Sequence, residues 1–77
     1  MKGGDNMKKI KYYTFVQYSQ YHFNVITEKK YFSTLENVKK YLEKKYHKKI
    51  DDIVLNEKTF LEPYDIMVTE TEISLED

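Results

Sequence analysis

The sequence predicts an α+β fold in which a small antiparallel sheet, with elements in the order β-β-α-β-β, packs on one principal helix. Two runs rich in aromatic and β-branched residues, 11–18 and 21–27, are typical of strands. Apolar residues then recur at helical spacing over about 34–47. Later apolar clusters, broken at Glu62-Pro63, predict two further strands, the longer from Tyr64 to about Leu75.

The length of 77 residues fits one domain, which we expect to comprise residues 7–77. The first six residues, MKGGDN, are expected to be a disordered leader. Codons AAA GGA GGT GAT for residues 2–5 would be complementary to the 3′ end of bacterial small-subunit ribosomal RNA, just upstream of Met7. The leader is therefore interpreted as a translated ribosome-binding site, and Met7 rather than Met1 as the natural start.

The first two predicted strands are expected to form a hairpin whose tip is Ser19-Gln20. Pairing Val16 with Phe23 across this tip divides the side chains between two faces. The set expected to form the core beneath the helix is Val16, Phe23 and Val25. The face away from the helix would then carry Tyr13, Phe15 and Ile26. A bulge or a three-residue loop would change this division.

The predicted helix begins with a capping box, in which Ser33 is followed by Glu36. A single apolar stripe is expected to face the sheet and consists of Leu35, Val38, Leu42 and Tyr46. Lysines occupy the opposite, solvent-facing side of the helix. Those near its end also suit the negative pole of the helix dipole.

The last predicted strand contains a break in its alternation. Its apolar face begins as Tyr64, Ile66 and Val68 but ends as Ile73 and Leu75, which have the opposite parity. Because successive residues of a strand point to opposite faces, this pattern predicts a bulge or break near Glu70.

The first hairpin carries large apolar side chains on both of its predicted faces, although one helix can cover only one of them. Each such side chain left in water forfeits about 1.5–3 kcal/mol. Three arrangements would account for the second face. The C-terminal segment folds across it as a sandwich, or it is a homodimer or partner surface, or it is a platform on which nucleic-acid bases stack.

The two parts of the chain carry opposite charge, although the net charge is zero. Residues 1–50 contain twelve lysines and four carboxylates, whereas residues 51–77 contain one lysine and nine carboxylates. The two parts either neutralise each other across the sheet or present a basic helix and an acidic C-terminal edge to partners. In the second case, Glu70 and Glu72 would face a basic surface on another protein.

The residue inventory is poor for catalysis. The two histidines, His22 and His47, have no nucleophile at a diagnostic spacing, and the acidic residues after the helix lack the spacing of a calcium loop. With no cysteine in the chain, thiol catalysis is excluded. We therefore predict no enzymatic activity, no catalytic residues, no metal site and no cofactor.

These observations favour a small, non-enzymatic protein-binding module without a membrane segment. Because Lys, Asn, Ile, Tyr and Phe have AT-rich codons, the composition is typical of low-GC bacteria and their phages. We expect a phage or mobile-element accessory protein in the bacterial cytoplasm. It would modulate or inhibit a host protein, such as a nucleic-acid-processing or defence enzyme, or bind itself as a homodimer.

Two sets of residues are predicted to form the binding surface. The partner-binding set is Tyr13, Phe15, Ile26, Glu70 and Glu72. In the alternative, the chain binds single-stranded nucleic acid through its basic helix and exposed tyrosines. The set for that alternative is Lys39, Lys40, Lys44, Lys48 and Tyr13. Zero net charge and the absence of arginine argue against it.

Overall fold

The computed structural model describes residues 8–75, which form a four-stranded antiparallel sheet and one helix. The elements are β1 (Lys8–Tyr18), β2 (Ile26–Phe32), α1 (Leu35–Tyr46), β3 (Lys58–Leu61) and β4 (Tyr64–Leu75). The strand order across the sheet is β2-β1-β4-β3. The predicted α+β class and the order of elements are confirmed. The expected leader, residues 1–6, lies outside the described residues.

The loop between β1 and β2 is longer than the predicted two-residue tip. It spans residues 19–25, and its ends are joined by a hydrogen bond of 2.7 Å from the Ser19 amide to the Val25 carbonyl. The Ser19 hydroxyl accepts from the amides of Tyr21 and His22, and Asn24 adopts a positive φ of 62°. Side-chain acceptors of this kind stabilise a turn in place of a strand. The predicted strand at 21–27 is therefore wrong, because β2 begins at Ile26.

The new register reverses the predicted assignment of the hairpin faces. Val16 pairs with Lys29 instead of Phe23, and Phe15 pairs with Lys30 and Val68. Phe15 is wholly buried in the core, with Val38, Leu42, Ile66 and Val68. Its ring meets that of Tyr41 edge-on, with centroids 5.6 Å apart. The predictions that Phe15 and Tyr13 lie away from the helix, and that Val16 lies beneath it, are wrong.

Helix α1 packs on the sheet through the predicted stripe, and its buried residues are Val38 and Leu42. Its N-cap is Thr34 instead of Ser33, because the Thr34 hydroxyl accepts from the Asn37 amide at 3.1 Å. The helix ends at His47, whose φ of 56° is left-handed and turns the chain away. The predicted span is confirmed, whereas the predicted capping residue is wrong.

Strand β4 pairs with β1 without interruption, from Lys8 opposite Leu75 to Gln17 opposite Ile66. The predicted bulge or break near Glu70 is therefore wrong. The two apolar sets of β4 lie on opposite sides of one regular strand. Ile66 lies in the helix-covered core, whereas Ile73, opposite Ile10, lies on the other side of the sheet. Since β4 joins the same sheet as β1, the sandwich arrangement is also wrong.

The ends of β1 and β4 extend beyond the helix-covered part of the sheet. Residues 8–12 pair only with residues 71–75, and both segments are largely exposed. We call this two-stranded segment the arm. It contributes to an elongated shape of 54 × 26 × 16 Å.

Candidate functional site

The side of the sheet opposite α1, here called the open face, is covered by no helix or second sheet among residues 8–75, although the 19–25 loop lies against one end of it. Its members follow from strand alternation and from the pairing of the four strands. Strands β1 and β2 contribute Lys8, Ile10, Tyr12, Thr14, Val16, Tyr18, Lys29 and Tyr31. Strands β3 and β4 contribute Lys58, Phe60, Asp65, Met67, Thr69, Thr71, Ile73 and Leu75.

Several large apolar side chains on the open face are exposed to solvent, although Val16 on the same face is buried. The exposed fractions are 63% for Tyr31 and 64% for Phe60, and 43% and 41% for the cross-strand pair Ile10 and Ile73. Tyr12 and Tyr31 form an aromatic pair with centroids 6.2 Å apart. Exposed apolar area that continues across several strands marks contact sites more often than scattered single residues do.

Lys58 holds the 19–25 loop against one end of the open face. Its ammonium nitrogen lies 4.4 Å from the centroid of the Tyr18 ring and 4.8 Å from that of Phe23. It also donates a hydrogen bond of 2.8 Å to the side-chain oxygen of Asn24. Phe23, predicted as a core residue, is 86% exposed at this end, so that prediction is wrong.

The open face combines aromatic rings with positive charge. Its charged members among the described residues are three lysines, Lys8, Lys29 and Lys58, and one carboxylate, Asp65. The Lys29 ammonium lies 5.6 Å from the centroid of the Tyr31 ring. The sequence pattern does not identify Tyr31 and Lys29, because it predicts a strand at 21–27 instead of β2. It does not identify Lys58 and Phe60, because it predicts no faces for β3.

The structure brings only part of the predicted partner-binding set together, and it does so on the helix side of the sheet. Tyr13 lies on the helix side of the sheet, where its hydroxyl donates to Glu70 at 3.1 Å, and Glu72 shares that side. Phe15 is buried and has no surface to offer. Ile26, about half exposed, begins β2 beside the irregular pair with Tyr18. A binding role for the exposed members of the set stays a prediction.

The lysines of the nucleic-acid alternative are also separated from the open face. Lys39, Lys40 and Lys44 lie on α1, and Lys48 follows its end, so all four are on the helix side of the molecule. Tyr13 shares that side. A nucleic acid that stacks on the exposed tyrosine of the open face, Tyr31, would therefore not reach the helix lysines at the same place.

A polar cluster joins β2 to α1 on the helix side. Glu28 forms an ion pair of 2.6 Å with Lys45 and accepts a hydrogen bond from the Tyr41 hydroxyl. Burial alone would raise the pKa of the Glu28 carboxyl, but its bonds to Lys45 and Tyr41 outweigh burial and hold this pKa below its ordinary value. Burial, together with Glu28, raises the pKa of Tyr41 to about 12. Neither group titrates near neutral pH, so the cluster fastens the helix to the sheet.

A cleft of about 320 Å³ lies between the 19–25 loop and the β3–β4 turn. His22 and Asp65 both line it, along with Tyr21, Phe23, Phe60 and Pro63. No hydrogen bond or ion pair joins this histidine to Asp65 among the described residues, and within residues 8–75 no three His, Asp or Glu side chains are grouped to hold a metal ion. The cleft is therefore an extension of the exposed aromatic surface.

Comparison with protein-family models, with curated proteins and with solved structures gave no match to this chain. Within residues 8–75, no helix is long and apolar enough to cross a membrane.

Proposed function

We propose that this chain is a non-enzymatic binding protein that docks onto a protein of its host through the open face. The observation that carries the proposal is the exposure of Tyr31, Phe60, Ile10 and Ile73 on one continuous side of the sheet. A small domain has little stability to spare. We expect a contact that covers these side chains to offset the free-energy cost of leaving them in water.

The composition and rigidity of the open face favour a protein partner. Tyrosine, phenylalanine and methionine are enriched at the centres of protein interfaces, and Tyr12, Tyr31, Phe60 and Met67 supply all three types. These residues project from paired strands, so binding orders few additional groups and costs little conformational entropy. The abundance of amino acids that have AT-rich codons supports a phage or mobile-element accessory protein that acts in the cytoplasm of a low-GC bacterium.

The experiment is affinity capture from a low-GC bacterial lysate, with three forms of the full chain compared side by side. These are the unchanged protein, the Tyr31→Ser/Phe60→Ser variant, and a matched Val54→Ser variant. Val54 is half exposed but lies outside the open face. We expect a host protein to be retained by the unchanged chain and by Val54→Ser, and lost from the double variant. Equal capture by all three forms would contradict the proposal.

Single-stranded nucleic acid is a second candidate, because lysines alternate with rings on the open face. Aromatic side chains beside cations provide stacking and phosphate contacts without sequence readout. Titration with a single-stranded thymidine oligonucleotide at low and physiological salt tests this candidate. Binding that weakens steeply with salt and is lost in Tyr31→Ser/Phe60→Ser would support it, since phosphate contacts release counterions. No binding at low salt would eliminate it.

The protein partner could also be a second copy of this chain, bound through the open face as a homodimer. Sedimentation velocity over a range of concentrations distinguishes it, because a dimer built on this face would dissociate in the Tyr31→Ser/Phe60→Ser variant and persist in Val54→Ser. A monomer at all concentrations would leave the host protein as the partner.

A further inference from the structure

Strand β1 has an edge without a neighbour along the arm. Strand β2 ends at Phe32, which pairs with Tyr13, whereas β1 begins five residues earlier, at Lys8. Along residues 8–12, β1 is paired with β4 on one side, and no strand among the described residues lies on the other. We call this free side the β1 edge. Its outward backbone amides and carbonyls are available for a further strand.

A groove continues the line of β2 along the β1 edge. It has a volume of about 450 Å³ and is lined by Ile10, Lys11, Tyr12, Tyr31, Phe32 and Ser33. Four of the six lining side chains are aromatic or aliphatic. A segment seated in this groove would extend the sheet as a continuation of β2 and would contact the open face.

We infer that the β1 edge binds an extended segment of the partner protein as an added strand, and that this segment alternates apolar and acidic residues. The inference rests on the proposed function and specifies how the partner is held. Main-chain hydrogen bonds to the edge would supply affinity, and the alternating side chains would supply specificity.

The alternation follows from the two sides of the arm. Ile10 and Tyr12 project to the open face, so partner residues on that side meet apolar neighbours. Lys9 and Lys11 project to the other side, so partner residues there meet ammonium groups. Half of the Lys11 side chain stays exposed although its nitrogen is 3.4 Å from Glu70. Glu70 and the directly opposite Glu72 both belong to β4, so a partner's carboxylate would approach Lys11 from the free side of β1.

Charge argues against a second copy of the chain as the added strand. In an antiparallel pair of two β1 edges with the open faces on the same side, a register centred on Ile10 sets Lys9 opposite Lys11. Registers centred on Lys9 or on Lys11 set that lysine opposite its own copy. Like charges directly opposite each other destabilise a strand pair. A segment with carboxylates at these positions has the opposite effect.

The test is a titration of the ¹⁵N-labelled full chain with two synthetic peptides, observed by NMR. One is acetyl-Glu-Val-Glu-Val-Glu-Val-Glu-amide, and the other has lysine at each glutamate. We expect the acidic peptide to shift the amide signals of residues 8–12 and to slow their hydrogen exchange. The lysine peptide is expected to bind at least about tenfold more weakly.

Charge-reversal variants sharpen the test. The Lys9→Glu/Lys11→Glu variant is expected to reverse the preference and select the lysine peptide. The matched control, Lys40→Glu/Lys44→Glu, makes the same change of net charge on α1 and is expected to keep the preference. Charges separated by more than a Debye length of about 8 Å are screened at physiological salt, so a distant reversal has little effect.

Three results would overturn the inference. The first is equal binding of the two peptides. The second is that the acidic peptide shifts the amide signals of Tyr31 and Phe60 but not those of residues 8–12. The third is that a thymidine oligonucleotide displaces the acidic peptide from the β1 edge. The last result would show that the edge lysines bind polyanions in general. These failures would leave the proposed function intact if lysate capture still depended on Tyr31 and Phe60. Capture that ignores those two residues would contradict the proposed function whatever the peptides do.

Discussion

The two faces of the sheet are built from the same strands but have opposite roles. On the helix side, Phe15 and Val68 are wholly or almost wholly buried, whereas Phe60 and Tyr31 on the open face each expose more than three fifths of their surface. Alternate residues along a strand are thus either buried in the core, where they stabilise the fold, or exposed on the open face. Apolar content by itself does not distinguish a core from a contact site, because both faces are rich in aromatic residues.

The polar groups differ between the faces in the same way. On the helix side, two carboxylates form ion pairs within the chain, in the Glu28–Lys45 and Lys11–Glu70 contacts. On the open face, the lysines lie beside aromatic rings, as Lys58 does with Tyr18. The Glu28–Lys45 pair thus fastens the helix to the sheet, whereas the open-face contact between Lys58 and Tyr18 joins a lysine to an aromatic ring.

The largest expected effect contrasts two phenylalanines on opposite faces. Phe15→Ala is expected to lower the free energy of unfolding by about 3–5 kcal/mol, because it removes a wholly buried ring from the core. Phe60→Ala is expected to change the free energy of unfolding by less than about 0.5 kcal/mol, as for an ordinary surface substitution. Urea denaturation followed by circular dichroism measures both, and a Phe15→Ala chain that shows no folded signal before urea is added has lost all of its stability.

The second variant serves as the control for the first, since each removes the same ring from a strand. A loss in Phe60→Ala as large as that in Phe15→Ala would mean that the open face is covered in the free protein. The distinction between the two faces would then be lost.

A smaller effect is expected at the N-terminus of α1, which lies on the helix side. Thr34→Ala removes the side-chain acceptor for the Asn37 amide and is expected to cost about 1 kcal/mol of unfolding free energy. Ser33→Ala should cost less than about 0.5 kcal/mol, because Thr34 is the cap. The reverse order in urea denaturation would show that Ser33 caps the helix in solution.

The smallest expected effect is a pH dependence of stability that arises from Glu28. Its pKa in the folded chain is below the ordinary value, so the unfolded chain binds the proton more readily. The stability that Glu28 contributes is thus present above its unfolded pKa and is lost as the pH falls through its folded pKa. Urea midpoints measured from neutral to acidic pH should decline less steeply in Glu28→Gln than in the unchanged protein.

Glu57→Gln provides the control for this pH series, because Glu57 lies in the exposed turn before β3. Its midpoints should decline with acid as steeply as those of the unchanged chain. If both variants flatten the decline equally, the acid sensitivity arises from overall charge and not from the contacts of Glu28.

Sequence reasoning succeeded for elements with a single apolar pattern. The stripe of α1 has one side, so its spacing predicted both the helix and the residues that it buries, Val38 and Leu42. The first hairpin has apolar residues at both odd and even positions, which point to opposite faces of the strand. Its pattern is therefore compatible with either face packing against the helix. A short-range feature, the hydrogen bonds of Ser19 in the loop, changed the pairing and with it the predicted partner of Val16.

The candidate site was predictable as a surplus of exposed apolar residues, but its members were not. Tyr31 and Phe60 come from the two edge strands, and only the strand order places them on the same face as Tyr12. The predicted set includes no residue of the open face, because it depended on the pairing of Val16 with Phe23, which puts Tyr13 and Phe15 on the wrong side of the sheet. One error in register moved every member of β2.

The amino-acid sequence by itself determined the fold class, the position of the helix and the existence of more apolar side chains than one helix covers. Those properties depend on spacing within a single element, which the order of residues contains. The tertiary structure decided which face of β1 the helix covers, and therefore that Phe15 is core and Tyr31 is surface. A strand with apolar residues at both parities can present either side, and only its pairing with other strands and the packing of Leu42 against Phe15 select one.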